Sequence, residues 1–202
     1  MASYDDPPEI PILLLGDSGV GKSTFLSRLT LGQRSDPKAP LPVLRDLDQP
    51  FPFNIRLYNR PYRFEFYDTA SPTNYTLLRP SVIVLCYSIA DPDSLSSLQD
   101  KWKRVVETHF NYDESLPVIV LGLGRDARSK DDYDGEVRFK RGIVYPQEAL
   151  RVAQEMRCDR YCECSALTGE LCREVFEDIA RTAAMTTTEG GGKSRGTECA
   201  VM

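Results

Sequence analysis

The sequence is short of positive charge, has one histidine and one tryptophan, and contains no long apolar segment. With 25 Lys and Arg against 30 Asp and Glu, the net charge is −5, so the surface offers no general attraction for nucleic acid. No apolar run approaches the roughly 20 residues that span a bilayer. The amino terminus has neither the apolar region of a signal peptide nor a glycine at position 2 for myristoylation. These absences predict a soluble, cytoplasmic protein.

The six cysteines do not form a pattern typical of a metal site. There is no CxxC pair, and His109 is the single histidine, so we do not expect a zinc site. Cys86 lies in an apolar run, and Cys162 and Cys164 alternate along a predicted strand. Apart from Cys199, we interpret the cysteines as reduced thiols packed inside a cytosolic protein.

Short apolar runs alternate with segments of helical periodicity over most of the chain. The strand-like runs cover 12–15, 55–58, 62–67, 81–87 and 117–121, and Asn59-Arg60-Pro61 predicts a hairpin between the second and third. Four segments have helical spacing. One follows the Gly-rich turn after the first run, and the others begin at the capping cluster of Asp91, at Pro146 and at Cys172. This alternation predicts one α/β domain with a mostly parallel sheet, helices on both faces and one antiparallel hairpin.

Three stretches fit neither a strand nor a helix. Residues 33–52 have prolines at positions 37, 40, 42, 50 and 52, which predict a loop. Residues 125–141 are dense in charge and predict a surface excursion, and the Gly-rich segment from Thr186 onward predicts a flexible tail. Trp102 and His109 lie on the helix after Asp91, and we interpret both as packing or surface residues.

A phosphate-binding motif lies between the first predicted strand and the helix that follows it. It matches GxxxxGK[ST] and consists of Gly16, Asp17, Ser18, Gly19, Val20, Gly21, Lys22 and Ser23, with Thr24 next in the chain. The glycines let backbone N–H groups curl around phosphate oxygens, and the helix N-terminus adds its positive end. In such sites the Lys reaches the β- and γ-phosphates and the Ser hydroxyl ligates Mg²⁺. The motif predicts a nucleotide ligand but not which one, because nucleoside kinases share it.

A second metal-side element is Asp68-Thr69-Ala70, directly after the predicted strand 62–67. Together these motifs resemble the Ras superfamily of small GTPases, and within it the Rho family. Glu163-Cys164-Ser165-Ala166 is similar to the element whose backbone amide contacts guanine, and residues 144–150 resemble the Rho segment before the fourth helix. The resemblance covers about residues 10–183. It implies the three-layer P-loop GTPase fold with a six-stranded sheet, GTP and GDP as ligands, and Mg²⁺ held by Ser23 and Asp68.

The sequence departs from the family pattern where GTP is hydrolysed. In the family, Gly and Gln follow Asp-Thr-Ala, whereas Ser71 and Pro72 stand at these positions here. The Gln orients the attacking water, and proline has no side-chain amide or backbone N–H to replace it. At the position of the switch-loop Thr, family spacing places Leu41 or Asp46, and neither has a hydroxyl. We therefore assign no catalytic residue and expect slow or impaired hydrolysis.

The base-reading element is also reduced. The family has Asn or Thr, then Lys or Gln, any residue and Asp, whereas this chain has Leu123-Gly124-Arg125-Asp126. Asp126 retains an acceptor for two guanine N–H donors, but Gly124 has no aliphatic stem to lie over the base. The resemblance implies that Asp126, Ser165 and Ala166 bind the base with weakened guanine preference. The alternative is that Asp126 is only a loop residue.

The last four residues, Cys199-Ala200-Val201-Met202, form a C-a-a-X signal. The terminal Met favours a farnesyl group over geranylgeranyl, so Cys199 is the predicted lipidation site. Lys193 and Arg195 add little basic charge, and one lipid with little charge support anchors reversibly. We expect a peripheral protein on the cytoplasmic face of a membrane.

The sequence is compatible with two functions. The first is a monomeric Rho-like switch that binds GTP and GDP with Mg²⁺ and engages effector and regulatory proteins. The second is a pseudo-GTPase, an interaction module with little nucleotide exchange or turnover, which the altered switch and base elements favour. A small-molecule kinase finds little support because the sequence has no Arg-rich lid. We expect an amino-terminal extension (1–9), a G domain (10–185) and a tail (186–202).

Overall fold

The computed structural model describes residues 7–31, 40–45, 48–57, 59–68, 72–110, 115–128 and 142–187. Within them the strands are β1 (Glu9–Leu15), β2 (Phe51–Leu57), β3 (Arg60–Asp68), β4 (Val82–Ser88), β5 (Val118–Leu123) and β6 (Arg160–Cys164). The helices are α1 (Lys22–Thr30), α2 (Pro72–Tyr75), α3 (Pro92–Ser97), α4 (Lys103–His109), α5 (Pro146–Glu155) and α6 (Cys172–Met185). A π-helical turn covers Leu98–Trp102, and a 3₁₀ turn covers Arg125–Ala127.

The strands form one six-stranded sheet in the order β2-β3-β1-β4-β5-β6. All neighbouring strands are parallel except β2, which pairs antiparallel with β3 at the edge. The predicted α/β fold with one antiparallel edge hairpin is therefore confirmed. Because the carboxyl ends of parallel strands meet at one edge, the segments that follow β1, β3, β5 and β6 come together there.

The sheet separates two apolar cores, and β1 contributes to both. Ile12 and Leu14 pack in the core that includes residues of α1 and α6. Leu13 and Leu15 pack in the other core, with residues of α3 and α5. All four side chains are fully buried. Since successive strand side chains leave on opposite faces, a continuous apolar run is what a strand covered on both faces requires.

The hairpin is longer than the sequence predicted. β2 begins at Phe51, so the loop predicted for residues 33–52 is wrong at its last two positions. Pro52 is paired with Glu65, which an edge strand tolerates because only one of its sides needs hydrogen bonds. β3 begins at Arg60 and includes Pro61, which the sequence had placed in the turn. Asn59, with a φ of +64°, makes the turn.

The helix predicted after Asp91 is present, but a π-helical turn interrupts it at Leu98–Trp102. The Asp91 carboxylate caps α3 by accepting from the N–H of Asp93 at 3.2 Å. Leu95 and Trp102 are buried. The spacing did not reveal the turn, because one extra residue leaves the apolar stripe almost continuous.

The helices predicted from Pro146 and Cys172 are confirmed as α5 and α6. In the part of the chain that the structure describes, no helix is long and apolar enough to cross a membrane. Several predictions concern residues outside the described ranges. These are Asp46, Thr69 to Ser71, the charged excursion from residue 129 to 141, and the tail with Cys199.

Candidate functional site

The loop between β1 and α1 has the backbone conformation that its glycines permit. Gly16 has a φ of +151°, and a Cβ at this position would lie 2.2 Å from the carbonyl oxygen of Cys86 in β4. Gly21, with a φ of +106°, directly precedes α1. Ser18 and Gly19 are exposed at the tip of the loop. The loop therefore leads directly to the N-terminus of α1. The backbone N–H groups there have no helical partners and can bind an anion.

Lys22 is the first residue of α1, and its side chain turns back into this loop. Its Nζ donates to the carbonyl oxygen of Asp17 at 2.8 Å and to that of Gly16 at 3.1 Å. The same nitrogen lies 3.9 Å from Oδ1 of Asp68. Lys22 is only 6% exposed. A buried ammonium group is thus held by two carbonyl oxygens of the loop, next to the helix N-terminus, and this arrangement fits a phosphate group.

Ser23 and Asp68, the two residues predicted to hold a metal, are in contact. Oγ of Ser23 donates to Oδ2 of Asp68 at 2.5 Å. They come from different elements: Ser23 lies in α1, and Asp68 ends β3 at the register position opposite Leu14 of β1. A hydroxyl beside a carboxylate at the phosphate end of the loop is a donor set that fits Mg²⁺, a cation that prefers oxygen ligands.

Gln49 holds Asp68 from the other side, a contact that the sequence analysis missed. Its side-chain Nε2 donates to the carbonyl oxygen of Asp68 at 2.8 Å, and its Oε1 accepts from the N–H of Asp68 at 3.0 Å. The hairpin register pairs Phe51 with Phe66, which places Gln49 opposite Asp68. The Gln49 side-chain amide therefore bonds both backbone groups of Asp68, as a peptide group of a neighbouring strand would.

Asp17 of the loop is bound by the helices after β4, another contact that sequence reasoning missed. Its Oδ1 accepts from Nε1 of Trp102 at 3.0 Å and from Nζ of Lys101 at 3.2 Å. Burial raises the pKa of Asp17, but hydrogen bonds from Ser97 and Trp102 and the charge of Lys101 lower it more, so the carboxyl remains ionised. Trp102, interpreted from the sequence as a packing or surface residue, is both buried and bonded to the phosphate loop.

The predicted base-reading residues also come together. Oγ of Ser165 donates to the Asp126 carboxylate. Ser165 is fully buried, and Oγ also accepts from the N–H of Thr168 at 3.1 Å. This cluster lies close to the phosphate loop, because a Cβ on Gly21 would contact Leu123 at 3.7 Å. The residues predicted for the two ends of a nucleotide site therefore lie at one edge of the sheet.

Comparison with known proteins agrees with this geometry. The profile described as "Ras family" matches residues 11–185. This chain belongs to the Ras family.

Two yeast Rho proteins are similar to it over most of their length. "GTP-binding protein rho2" of Schizosaccharomyces pombe is 29% identical over 198 residues, which cover 95% of this chain and 94% of the relative. "GTP-binding protein RHO1" of Saccharomyces cerevisiae is 29% identical over 191 residues, which cover 91% of this chain and 88% of the relative. Within the Ras superfamily, the chain is close to the Rho proteins, and its sheet is that of the P-loop GTPase fold.

This Ras-family chain has no hydroxyl at either candidate position for the Thr of the family's switch loop. Leu41 lies in the described segment 40–45, and the other candidate, Asp46, lies outside the described residues. The carbonyl oxygen of Pro42 accepts from Oγ of Ser27 on α1, so the segment lies against that helix. Pro72, which the sequence predicts at the family's Gln position, is the first residue of the four-residue α2.

A buried ion pair supports the base end of the site. Nη2 of Arg128 donates to Oε1 of Glu163 at 2.7 Å and to the carbonyl oxygen of Val144 at 2.6 Å. Tyr161 also donates to Glu163, and the Tyr161 hydroxyl lies 3.1 Å from that of Tyr87. Burial raises the pKa of both tyrosines, so both keep their protons. The pair connects the segment after Asp126 with the strand that precedes Ser165, and its Arg128 partner lies in none of the sequence motifs.

Proposed function

We propose that this chain is a Rho-like switch that binds GTP and GDP with Mg²⁺ and hydrolyses GTP slowly. The observation that carries the proposal is that Lys22, Ser23 and Asp68 meet at the sheet edge that also holds the Asp126–Ser165 pair. Both yeast relatives are named GTP-binding proteins. Family membership and this geometry together support a guanine nucleotide over the other ligands that the phosphate motif permits.

Each part of the site has a defined task in this proposal. Backbone N–H groups of residues 16–24 and the Lys22 ammonium bind the phosphates, while Asp126, Ser165 and Ala166 bind the base. Ser23 and Asp68 would hold Mg²⁺, which when bound neutralises charge that develops between the β- and γ-phosphates. The Ser23 hydroxyl and Asp68 carboxylate are already in contact, so little rearrangement is needed to present both to a cation.

Slow hydrolysis follows from the residue at the family's Gln position. The Gln accepts from and donates to the attacking water, and Pro72 offers neither group. We assign no catalytic residue in its place. Release of phosphate would then depend on a partner, and the switch would spend most of its cycle bound to GTP.

The remaining parts of the proposal concern location and partners. A farnesyl or geranylgeranyl group on Cys199 would attach the G domain (10–185) to the cytoplasmic face of a membrane through the tail (186–202). The acidic chain, with a net charge of −5, gains little from anionic lipid, so the lipid group would carry the attachment. We expect a monomer that binds effector and regulatory proteins.

A pseudo-GTPase is the alternative, favoured by Gly124. Glycine has no side-chain stem to lie over a base, and no neighbouring side chain takes its place, because a Cβ added here would meet nothing within 4 Å among the described residues. Weak base contact together with Pro72 would leave an interaction module with little exchange or turnover.

Nucleotide analysis of the purified protein separates the two functions. We expect bound GTP or GDP, Mg²⁺-dependent affinity in a fluorescent-nucleotide titration, and loss of binding in Lys22→Ala. Lys103→Ala is the matched control, because Lys103 lies on α4, is 40% exposed and forms an ion pair with Glu107. Equal binding by the unaltered protein and Lys22→Ala, or no binding by either, would contradict the proposed switch.

A further inference from the structure

Arg28 connects the phosphate-binding helix to the base-reading loop. It lies in α1, whose first residue is Lys22. Its Nε donates to the carbonyl oxygen of Ala166 at 2.6 Å, and its Nη2 donates to that of Leu167 at 2.8 Å. Two nitrogens of one planar guanidinium group therefore hold two consecutive carbonyl groups. Such charge-assisted bonds are about twice as strong as neutral ones.

The carbonyl group before these two is also occupied. The Ser165 oxygen accepts from the N–H of Gly169 at 2.8 Å and from Sγ of Cys172 at 3.2 Å. The three successive carbonyl groups of residues 165, 166 and 167 thus all accept hydrogen bonds from the protein itself. By contrast, among the described residues none accepts a hydrogen bond from the N–H of Ala166 or Leu167.

These bonds affect the two N–H groups because a peptide group polarises as a unit. The N–H of Leu167 shares its peptide with the Ala166 carbonyl, to which Arg28 donates. The N–H of Ala166 shares its peptide with the Ser165 carbonyl, which has two donors. Hydrogen bonds to a carbonyl make the N–H of the same peptide a better donor, and fixed donors stabilise an oxygen that carries partial negative charge.

The carboxylate of Asp126, next to this loop, determines which hydrogen-bonding pattern a ligand must have. Ser165 joins Asp126 to this loop, so an acceptor lies next to the two backbone donors. A planar base with a ring N–H beside a carbonyl oxygen complements that order, because the N–H meets the carboxylate and the oxygen meets the backbone N–H. A base without the carbonyl oxygen leaves the donors unpaired.

We propose that Arg28 is a positioning residue for base recognition, holding residues 166 and 167 so that their N–H groups bind the 6-oxo group of guanine. The proposal rests on the proposed function and assigns one residue's part in it. Because Arg28 acts through the loop, its effect on affinity is confined to ligands that carry the 6-oxo group.

The test uses the full chain and three diphosphates: GDP, inosine diphosphate, which keeps the 6-oxo group, and 2-aminopurine riboside diphosphate, which lacks it. Arg28→Met keeps the aliphatic stem and removes the guanidinium group. We expect it to weaken the binding of GDP and of inosine diphosphate by the same factor, about fivefold to tenfold. The affinity for the 2-aminopurine nucleotide should not change. The matched control is Arg151→Met on α5, where the side chain is 70% exposed and lies 3.8 Å from Glu155. It should change none of the three affinities.

Arg28→Lys provides a second variant, and it tests the same role if Arg28→Met does not fold. Lysine keeps the charge but offers one nitrogen for two carbonyl groups, so we expect a smaller loss that is still confined to the 6-oxo nucleotides. An equal loss for all three nucleotides would overturn the positioning role while leaving the proposed function intact. Failure of the unaltered protein to bind any of them would overturn both.

Discussion

Nε1 of Trp102 lies 3.0 Å from Oδ1 of Asp17, so a buried indole of the π-helical turn holds the phosphate loop in place. Lys101, the preceding residue, approaches the same oxygen at 3.2 Å. A π-helical turn is rare and is often found at functional sites. Here it brings two consecutive side chains, one apolar with a polar edge and one cationic, to a single carboxylate. The phosphate loop is therefore supported by a helix that does not itself belong to the motif.

Trp102→Phe should loosen the phosphate loop. The variant keeps an aromatic ring but removes the Nε1–H donor and leaves a partly buried carboxylate short of one bond. We expect a loss of about 1–3 kcal/mol in the free energy of unfolding and several-fold faster GDP dissociation. Lys101→Met is the control: Lys101 is 59% exposed, so its ion pair should contribute no more than about 1 kcal/mol. Unchanged stability and dissociation in Trp102→Phe would contradict this role.

The same contact predicts a pH dependence in acid. Desolvation raises the pKa of Asp17, but the bonds from Ser97 and Trp102 and the charge of Lys101 outweigh it and bring the pKa below its ordinary value of 3.8. A carboxyl with a lower pKa in the folded state contributes stability above the unfolded pKa and loses it as pH falls through the folded pKa. Unfolding of the unaltered protein and Asp17→Asn is compared from about pH 5 downward. Their difference in unfolding free energy should shrink below about pH 4, and a constant difference would contradict the assignment.

How much the sequence revealed depended on whether the interaction was local. Gly16, Lys22 and Ser23 lie within one motif whose spacing fixes the loop, so they were found together. Asp68 was found because it ends a strand that the apolar pattern marked. The sheet followed from the same patterns, since a continuous apolar run predicts a strand covered on both faces.

The missed contacts join segments that are far apart in the chain and carry no motif. Gln49 and Asp68 are 19 positions apart, and Trp102 and Asp17 are 85 apart. Each depends on a side chain reaching across from another element. The hairpin register places Gln49 opposite Asp68 and could have identified this contact. The register follows only once the first residue of β2 is known, and Pro50 and Pro52 made that start look like a loop.

Gln49→Ala should weaken the metal side of the site. Without the amide, both backbone groups of Asp68 lose their partner, and the carboxylate beside Ser23 is held less firmly. We expect a rise of about twofold to fivefold in the Mg²⁺ concentration that half-maximally slows GDP dissociation. The rate of GDP dissociation in excess chelator, where no Mg²⁺ is bound, should not change. Gln99→Ala is the matched control, since that exposed amide donates to Glu155, away from the site. An equal change with and without Mg²⁺ would contradict a metal-side role.

Intrinsic GTP hydrolysis should be slower than the roughly 10⁻⁴ s⁻¹ of unaided small GTPases. Proline at position 72 provides no group to orient water, and Leu41 provides no hydroxyl at one of the two switch-loop positions. Single-turnover measurement with purified protein gives the rate, and Lys22→Ala gives the background. Ser71→Gly combined with Pro72→Gln should raise the rate. A rate for the unaltered chain at or above that of ordinary small GTPases would mean that another group orients the water.

The last prediction is that Cys199 carries a farnesyl group and that this lipid decides where the protein lies. Lys193 and Arg195 add at most about 1 kcal/mol each near an anionic surface, too little to hold a chain of net charge −5. Cys199→Ser should therefore move the protein from the membrane fraction to the cytosolic fraction of a eukaryotic host. Nucleotide binding should not change, because the residues of the candidate site all precede the tail. Cys158→Ser is the control, since that thiol lies within the described domain and outside the C-a-a-X signal. Intact-mass analysis checks the modification directly. An unmodified chain that still fractionates with membranes would contradict the lipid anchor and indicate a protein tether.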